Sequence, residues 1–311
     1  MVSIKRAVLV VLALVLVLAG LAYVNRVALV LAFAKYRTDA VPVAPFREVS
    51  WSMGPDAPLQ PGEERPPNII LIVADDLGYN DISTFGGGVA DGRVPTPHID
   101  ELAAAGAVFT QSYSGAGTCA PSRAMLMTGR YPTRTGFEFT PTPPGMARIV
   151  NMVRQSIPSN LPPGYFDVAA DEARMPYEDQ GLLPSERTLA EILKDAGYAT
   201  FHIGKWHLGR RNGMAAHEQG FDQSLLMESG LFLPEDDPNV VNAKVPFDPI
   251  DQFLWAGMSY ATSFNSSGGE RFRPGGYLTD YWTDESIKII EGNQHRPYFL
   301  YLAHWGVHTP L

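Results

Sequence analysis

The stretch Asn68-Ile69-Ile70-Leu71-Ile72-Val73-Ala74 decides the fold, because it is short, continuous, apolar and rich in β-branched side chains. Such a run is typical of a strand that is buried on both faces of a parallel sheet. It ends in Asp75-Asp76, so two carboxylates follow directly after the predicted strand. The stretch therefore predicts an α/β domain with acidic groups at one edge of its sheet.

Helices and strands are predicted to alternate after this first strand. Helices are predicted where a capping residue precedes a periodic apolar segment and a glycine follows it, over residues 96–106, 185–197 and 279–291. Strands are predicted for the apolar runs 107–113, 198–203 and 297–303. This alternation implies parallel crossovers, so we expect a mainly parallel mixed sheet with helices on both faces. Long loops or small insertions are predicted for the Pro- and Gly-rich segments 141–184 and 212–276.

The composition excludes several classes of protein. The 311 residues carry 24 Lys and Arg against 33 Asp and Glu, a formal charge of −9, and 45% of them are hydrophobic. With 18% charged and 11% aromatic residues, the chain is too apolar to be disordered. Its single cysteine excludes an intramolecular disulfide and every multi-cysteine metal site. The negative charge, without a useful Lys/Arg cluster, argues against a nucleic-acid partner.

The amino terminus, residues 1–36, is predicted to be a membrane anchor or a signal segment. Residues 7–24 are uncharged, and as a helix they rise about 27 Å, close to the hydrocarbon thickness of a bilayer. Lys5 and Arg6 favour a cytoplasmic N-terminus, which places the rest of the chain outside the cytoplasm, on the periplasmic side. Cleavage at Gly20-Leu21-Ala22 is the alternative, and the protein would then be secreted. The proline-rich residues 37–67 are predicted to form an extended linker.

Ionisable side chains follow three of the predicted strands. Asp75-Asp76 follows the first, Lys205-Trp206-His207 follows the strand over 198–203, and His304 and His308 follow the strand over 297–303. Open α/β sheets bind their ligands beyond the carboxyl ends of the strands. We therefore expect these groups to meet at one edge of the sheet.

The single cysteine lies where an anion site is expected. In the segment 118–130, Pro121 suits the first helical position and Gly129 suits the residue after the helix. Cys119 and Arg123 would then lie around a helix N-terminus, where unpaired N–H groups and the helix dipole attract anions. A small buried hydrophobic cysteine is the alternative.

The pattern Cys119-x-Pro121-Ser122-Arg123, continuing to Thr128-Gly129-Arg130, resembles the signature of the type I sulfatases, which belong to the alkaline-phosphatase-like superfamily. Other family segments match in the same order, over residues 68–78, 96–100, 197–209, 219–222 and 307–311. The resemblance implies an alkaline-phosphatase-like fold and a formylglycine-dependent, arylsulfatase-like hydrolase of sulfuric esters.

In that family the cysteine is oxidised to Cα-formylglycine, so the resemblance implies that a formylglycine-generating enzyme acts on Cys119. It also implies one calcium ion, bound by Asp75, Asp76 and the oxidised Cys119. Arg123 would hold the formylglycine in place.

The resemblance also implies roles for three further side chains. Lys205 and His308 would bind the oxygens of the sulfate ester substrate, and His207 would hydrogen-bond the formylglycine hydroxyl. One hydroxyl of the hydrated aldehyde would attack sulfur while His308 gives a proton to the leaving alcohol, and the second hydroxyl would then expel sulfate.

The family pattern continues with an Asp-Asn pair on calcium and another Lys on the sulfate, and residues 68–311 contain no match for them. Residues 68–311 are therefore expected to be the N-terminal, incomplete part of a sulfatase catalytic domain that is truncated at its C-terminus. Two other functions stay open: a phosphonate or phosphate monoester hydrolase of the same superfamily, and an inactive, truncated, membrane-tethered remnant.

Overall fold

The computed structural model describes residues 4–57, 64–158, 160, 162, 164, 165, 167–228, 230–240, 249–265 and 270–309. They form two compact units. The larger is the described part of Val43–Thr142, Met175–Ala243 and Tyr260–Leu311, and the smaller is the described part of Met1–Pro42, Pro143–Arg174 and Lys244–Ser259.

The larger unit is built on a five-stranded sheet. The strands are β1 (Ile69–Val73), β2 (Ala199–Gly204), β3 (Gln223–Met227), β4 (Thr262–Phe264) and β5 (Tyr298–Ala303). Their order is β1-β5-β2-β3-β4, and all neighbours are parallel except β4, which runs antiparallel to β3. Ala303 pairs with both Val73 and Gly204, so the carboxyl ends of three strands reach the same edge.

Helices are distributed over both units. They are α1 (Ile4–Val24), α2 (Arg26–Asp39), α3 (Val89–Gly92), α4 (Pro97–Ala105), α5 (Cys119–Thr128), α6 (Pro132–Thr135), α7 (Met146–Ser156), α8 (Val168–Glu172), α9 (Leu189–Asp195), α10 (Pro249–Gly257) and α11 (Leu278–Gly292). Of these, α1, α2, α7, α8 and α10 lie in the smaller unit.

The core of the larger unit lies on both faces of the sheet. One face packs under α5 and α9, with a buried cluster that includes Ala120, Ala124, Ala190, Phe221, Phe299 and Tyr301. On the other face, Trp51 packs edge-on against Phe201 at a centroid distance of 6.0 Å. The Trp51 indole N–H donates to the Glu285 carboxylate on α11 at 2.7 Å. The prediction of helices on both faces is confirmed.

The main predicted elements are confirmed with small changes of boundary. β1, β2 and β5 form within the strands predicted over 68–74, 198–203 and 297–303, and β2 extends by one residue to Gly204. α4 and α11 form where helices were predicted over 96–106 and 279–291. For these elements, the apolar runs and the helix-end residues predicted the correct type of secondary structure.

The strand predicted over 107–113 is wrong. These residues pair with no strand in the described part of the chain, and Phe109 and Tyr113 are exposed. The expectation that the first strand is buried on both faces is also wrong: β1 occupies an edge of the sheet, and Ile70 and Ile72 are exposed. A β-branched apolar run forms a strand only where a neighbour supplies ladder hydrogen bonds, and such a neighbour is a tertiary feature.

The helix predicted over 185–197 begins later than expected. Thr188, not Ser185, is the N-cap: its hydroxyl accepts from the Glu191 N–H at 3.2 Å, and the Glu191 carboxylate accepts from the Thr188 N–H at 2.7 Å. The Thr188 hydroxyl also donates to the Gln219 carbonyl at 2.9 Å, which ties the cap to the core. Gly197 follows the helix with φ 87°, as its position predicted.

The two predicted loop segments contain regular structure. α7 and α8 lie within 141–184, and β3, α10 and β4 lie within 212–276. The weak periodicity of β3 and β4 hid them, because each is short and most of its residues are buried, so polar residues do not alternate along it. β4 supplies the antiparallel pair that makes the sheet mixed.

The structure bears on both the predicted linker and the predicted membrane segment. Val49 and Trp51, inside the predicted linker, are buried in the larger unit, whereas residues 58–63 lie outside the described residues. In the smaller unit, α2 packs with α7 and α10, and the Thr38 hydroxyl donates to the Ala256 carbonyl at 2.9 Å. Among the described residues one helix segment, Arg6–Val24, is apolar and long enough to cross a membrane, and a signal sequence would look the same. The domain boundaries stay predictions.

Candidate active site

The carboxyl ends of β1, β2 and β5 bring separate loops together. The Lys205 N–H donates to the Ala303 carbonyl at 2.9 Å, and the His304 N–H donates to the Val73 carbonyl at 2.9 Å. The Asp75 N–H donates to the Gly306 carbonyl at 3.0 Å. These backbone hydrogen bonds join the three loops that follow the strands at one edge of the sheet.

α5 presents its first turn to this edge. Thr118 is its N-cap and Gly129, with φ 65°, ends it in the left-handed conformation that its position predicted. Pro121 is the third residue of the helix rather than the first, so Cys119 itself lies in the first turn. Ala120, Ala124 and Met127 are buried, and their burial fixes the face of the helix that Cys119 and Arg123 present.

Asp75 is the centre of the charged cluster and is 4% exposed. Its Oδ1 accepts from Nη2 of Arg123 at 3.1 Å, and its Oδ2 accepts from Nζ of Lys205 at 2.5 Å. Burial raises the pKa of Asp75, but the Lys205 and Arg123 cations outweigh it and hold that pKa below its usual value. Arg123 also donates through Nη1 to the Lys205 carbonyl at 2.8 Å and to the Tyr301 hydroxyl at 3.1 Å.

A second group of side chains surrounds Cys119. Its Sγ lies 3.8 Å from Oδ1 of Asp76, and Nε2 of His308 lies 3.4 Å from Oδ2 of Asp76. Potential ligand atoms of Asp75, Cys119 and His308 lie within 4.8 Å of one another. Burial raises the pKa of the Cys119 thiol, which Lys205 opposes, so the unmodified side chain is a thiol at neutral pH.

His207 is half-buried beside the same charges. Its φ is 61°, a left-handed conformation that a non-glycine residue rarely adopts, and its Nδ1 has no partner among the described residues. Burial, together with the Lys205 and Arg123 charges, holds the pKa of His207 well below its usual value, so its imidazole is neutral. Its predicted hydrogen bond to a modified residue 119 stays a prediction.

His304 lies elsewhere, although the sequence placed it at the same strand end. Its ring is 6.3 Å from that of Trp282 on α11, and burial lowers its pKa. Of the two histidines after β5, the site receives His308.

Two side chains of the site were missed from the sequence. Tyr301 was read only as part of a buried strand, and it accepts the hydrogen bond from Arg123. Trp305 lies between the two histidines that were singled out, and its indole contacts both Lys205 and His308. The position of Trp305 within that loop was the available signal.

The donor set fits a hard divalent cation in part. Asp75 and Asp76 supply carboxylate oxygens, the ligands that calcium and magnesium prefer. A thiol is a soft donor and does not suit such an ion. Residue 119 suits such a cation only when an oxygen has replaced its sulfur.

Comparison with known proteins gives a consistent result. Residues 67–311 match the protein-family model described as Sulfatase. The chain is 34% identical over 254 residues to N-acetylgalactosamine-6-sulfatase of Sus scrofa, which covers 80% of this chain and 41% of that protein. It is 31% identical over 324 residues to steryl-sulfatase of Mus musculus, covering 87% of this chain and 46% of that protein.

A solved structure agrees with these relatives. The crystal structure of Ps i-CgsB superimposes with a TM-score of 0.55 at 26% identity, covering 78% of this chain and 46% of that chain. The chain thus spans less than half the length of each of these relatives.

Proposed function

Since the chain belongs to the sulfatase family, we propose that it hydrolyses sulfate monoesters of aryl or carbohydrate alcohols, with Cys119 as the precursor of its nucleophile and one calcium ion as its cofactor. One observation carries the proposal. Cys119 lies in the first turn of a helix, beside two carboxylates and beside the Lys205 and Arg123 cations. This arrangement offers a nucleophile position, a cation site and an anion site within one cluster.

Residue 119 is the proposed reacting group. When oxidised to Cα-formylglycine by a formylglycine-generating enzyme and hydrated, it supplies a hydroxyl nucleophile and a second hydroxyl that drives release of sulfate. Arg123 is buried behind it, and its hydrogen bonds to Asp75, Tyr301 and the Lys205 carbonyl leave it little freedom. Arg123 therefore holds the positive charge of the site at a fixed position.

Calcium would be held by Asp75, Asp76 and the modified residue 119, and it would supply Lewis-acid polarisation of oxygen. The two carboxylates carry the negative charge that this binding needs. Asp75 is ionised across the neutral range, because its pKa lies below the usual value.

Lys205 and His308 are the proposed ligands of the sulfate group. The Lys205 ammonium is buried and lies at the same edge as the helix N-terminus, where an anion gains from fixed charge without the reorganisation of water. Nδ1 of His308 lies 2.6 Å from the Thr309 carbonyl, which can only accept, so Nδ1 carries a proton. Donation to the leaving alcohol oxygen then falls to Nε2, from the imidazolium form that carries a proton on both ring nitrogens.

His207 contributes a neutral imidazole. Its buried Nδ1, which has no partner among the described residues, is available for a hydrogen bond to a hydroxyl on residue 119, and a neutral ring adds no charge to a site that already holds two cations. We place the protein outside the cytoplasm, anchored by α1.

Mass spectrometry of residue 119 tests the proposal. In protein made in its native host as the gene encodes it, the tryptic peptide with residue 119 should carry an aldehyde. Cys119→Ala should lower the rate of aryl sulfate hydrolysis by at least about 10³-fold. Ser122→Ala, next to the same helix turn, is the matched control and should keep the aldehyde at residue 119.

Three outcomes would contradict the proposal. A free thiol at residue 119 together with full activity would remove the proposed nucleophile. Strong turnover of an aryl phosphonate or phosphate without sulfatase activity would favour the phosphoester alternative. Turnover of none of these esters would favour the inactive remnant.

A further inference from the structure

Trp305 lies against both of the proposed sulfate ligands. It is the second residue after β5 and is 5% exposed. Nζ of Lys205 lies 4.5 Å from the centroid of its ring. The imidazole of His308 stacks on it at a centroid distance of 3.8 Å and an interplanar angle of 21°. One indole is therefore the shared contact of an ammonium and an imidazole.

The contact matters for Lys205 because its stem is flexible. A lysine ammonium sits on four methylene groups, so a single partner leaves several positions open to it. Here the Asp75 carboxylate and the Trp305 indole both contact the ammonium. An aromatic face attracts a cation without neutralising it, whereas a carboxylate does neutralise it. The indole thus positions Lys205 without adding a second negative charge beside it.

The same ring sets the plane of His308. Nδ1 of His308 is engaged by the Thr309 carbonyl, and Nε2 points towards Asp76 at 3.4 Å. Rotation of the imidazole out of the stack would move Nε2 away from this position. Stacking on a buried ring opposes that rotation.

The backbone of Gly230 lies directly against the Trp305 indole. A Cβ added at Gly230 would lie 2.8 Å from Cζ2 and 2.9 Å from Cε2 of Trp305, closer than side-chain atoms pack. The ring therefore occupies space that only a glycine at this position leaves open.

We propose that Trp305 is a positioning residue of the anion site, which places the Lys205 ammonium and the His308 imidazole for an oxyanion ligand. The role in turnover rests on the proposed sulfate ester hydrolysis, whereas the positioning itself is a separate property. The ring is buried, so it acts through these two side chains rather than on the substrate.

A double-mutant cycle on inorganic sulfate binding tests the proposal. Trp305→Leu should weaken sulfate binding, measured by calorimetry on the protein as its gene encodes it, by roughly 5- to 30-fold. Trp305→Phe should recover most of this loss because it restores an aromatic face. In a Lys205→Met background, Trp305→Leu should change the free energy of sulfate binding by at most half as much as it does in the protein with Lys205. The ammonium that the ring positions is gone in that background.

A glycine pair supplies the matched control. Gly230→Ala should weaken sulfate binding in the same direction as Trp305→Leu, because the new methyl group displaces the ring. Gly257→Ala should leave sulfate binding unchanged, since a Cβ there meets nothing within 4 Å. If wild type binds sulfate, equal effects of Trp305→Leu in both lysine backgrounds, or none in either, would overturn the proposal.

Nuclear magnetic resonance of ¹³C-lysine protein separates this proposal from the proposed function. The Lys205 ε-methylene signal, assigned by its loss in Lys205→Met, should be shifted upfield by the ring current of Trp305 and should return to its ordinary position in Trp305→Leu. A wild-type signal at the ordinary position would refute the positioning. An upfield signal in a protein that neither binds sulfate nor cleaves any ester would keep the positioning and reject the proposed function.

Discussion

The Asp75 carboxylate lies against two cations from distant parts of the chain, Arg123 on α5 and Lys205 after β2. Such a buried cluster costs desolvation, and removal of Asp75 would leave two buried cations without their counter-charge. The two cations therefore depend on Asp75. They also explain why Asp75 is ionised in spite of its burial.

His202 lies behind this cluster and gives a testable pH dependence. It is fully buried among the rings of Trp206, Phe221 and Tyr301, and its Nδ1 lies 2.8 Å from the Ser224 hydroxyl. Burial, with a smaller effect of the Arg123 charge, lowers the pKa of His202 to about 3. The folded state therefore resists protonation that the unfolded state accepts below its ordinary pKa of about 6.5.

The free energy of unfolding should accordingly fall as the pH drops from about 6.5 towards 3. Linkage gives a loss of roughly 3 kcal/mol from His202 between pH 7 and pH 4.5. Urea unfolding at both pH values should show this loss in wild type and in Ser224→Ala, which keeps the imidazole. In the double variant H202F/S224A the loss should be smaller by about that amount, and an unchanged pH dependence would contradict the assignment.

Among the elements, α9 shows how tertiary contacts select a helix start. Both Ser185 and Thr188 are acceptable caps by residue type, but only Thr188 is buried and bonded to the Gln219 carbonyl. Thr188→Ala should lower the free energy of unfolding by about 1–2 kcal/mol, because it removes the cap and that tertiary bond. Ser185→Ala should change it by less than about 0.5 kcal/mol, since Ser185 is exposed. Urea unfolding of both variants measures these changes in the free energy of unfolding. Equal changes would contradict Thr188 as the cap.

The strands differ in how clearly the sequence predicts them. β1, β2 and β5 were predicted because each contains an apolar run that is recognisable without its partner. β3 and β4 were missed, and residues 107–113 were wrongly assigned, because a short or lone apolar run carries no information about its partner. Pairing partners come from tertiary structure.

At the scale of the whole molecule, the predicted fold class is confirmed: the chain has the mostly parallel, mixed sheet of an alkaline-phosphatase-like sulfatase. Its N-terminal helix α1 rises about 31 Å over 21 residues and is exposed along its apolar length. This length matches a bilayer core.

We expect the protein to stay with membranes through an alkaline carbonate wash, because the proposed anchor α1 would be retained. A variant in which a cleavable export signal replaces residues 1–24 should move to the soluble fraction. N-terminal sequencing separates the alternatives, since a mature N-terminus at Tyr23 would mean that residues 1–22 are a cleaved signal.

The sequence by itself determined the family, the principal strands and the identity of the charged residues, because motif residues and apolar runs are local features that need no partner to be recognised. Tertiary structure alone decided which cations lie on Asp75, which residue caps α9, which short runs pair as strands and that Trp305 contacts Lys205 and His308. These features join residues that are far apart in the chain, and only the packing of the folded sheet sets the distances between them.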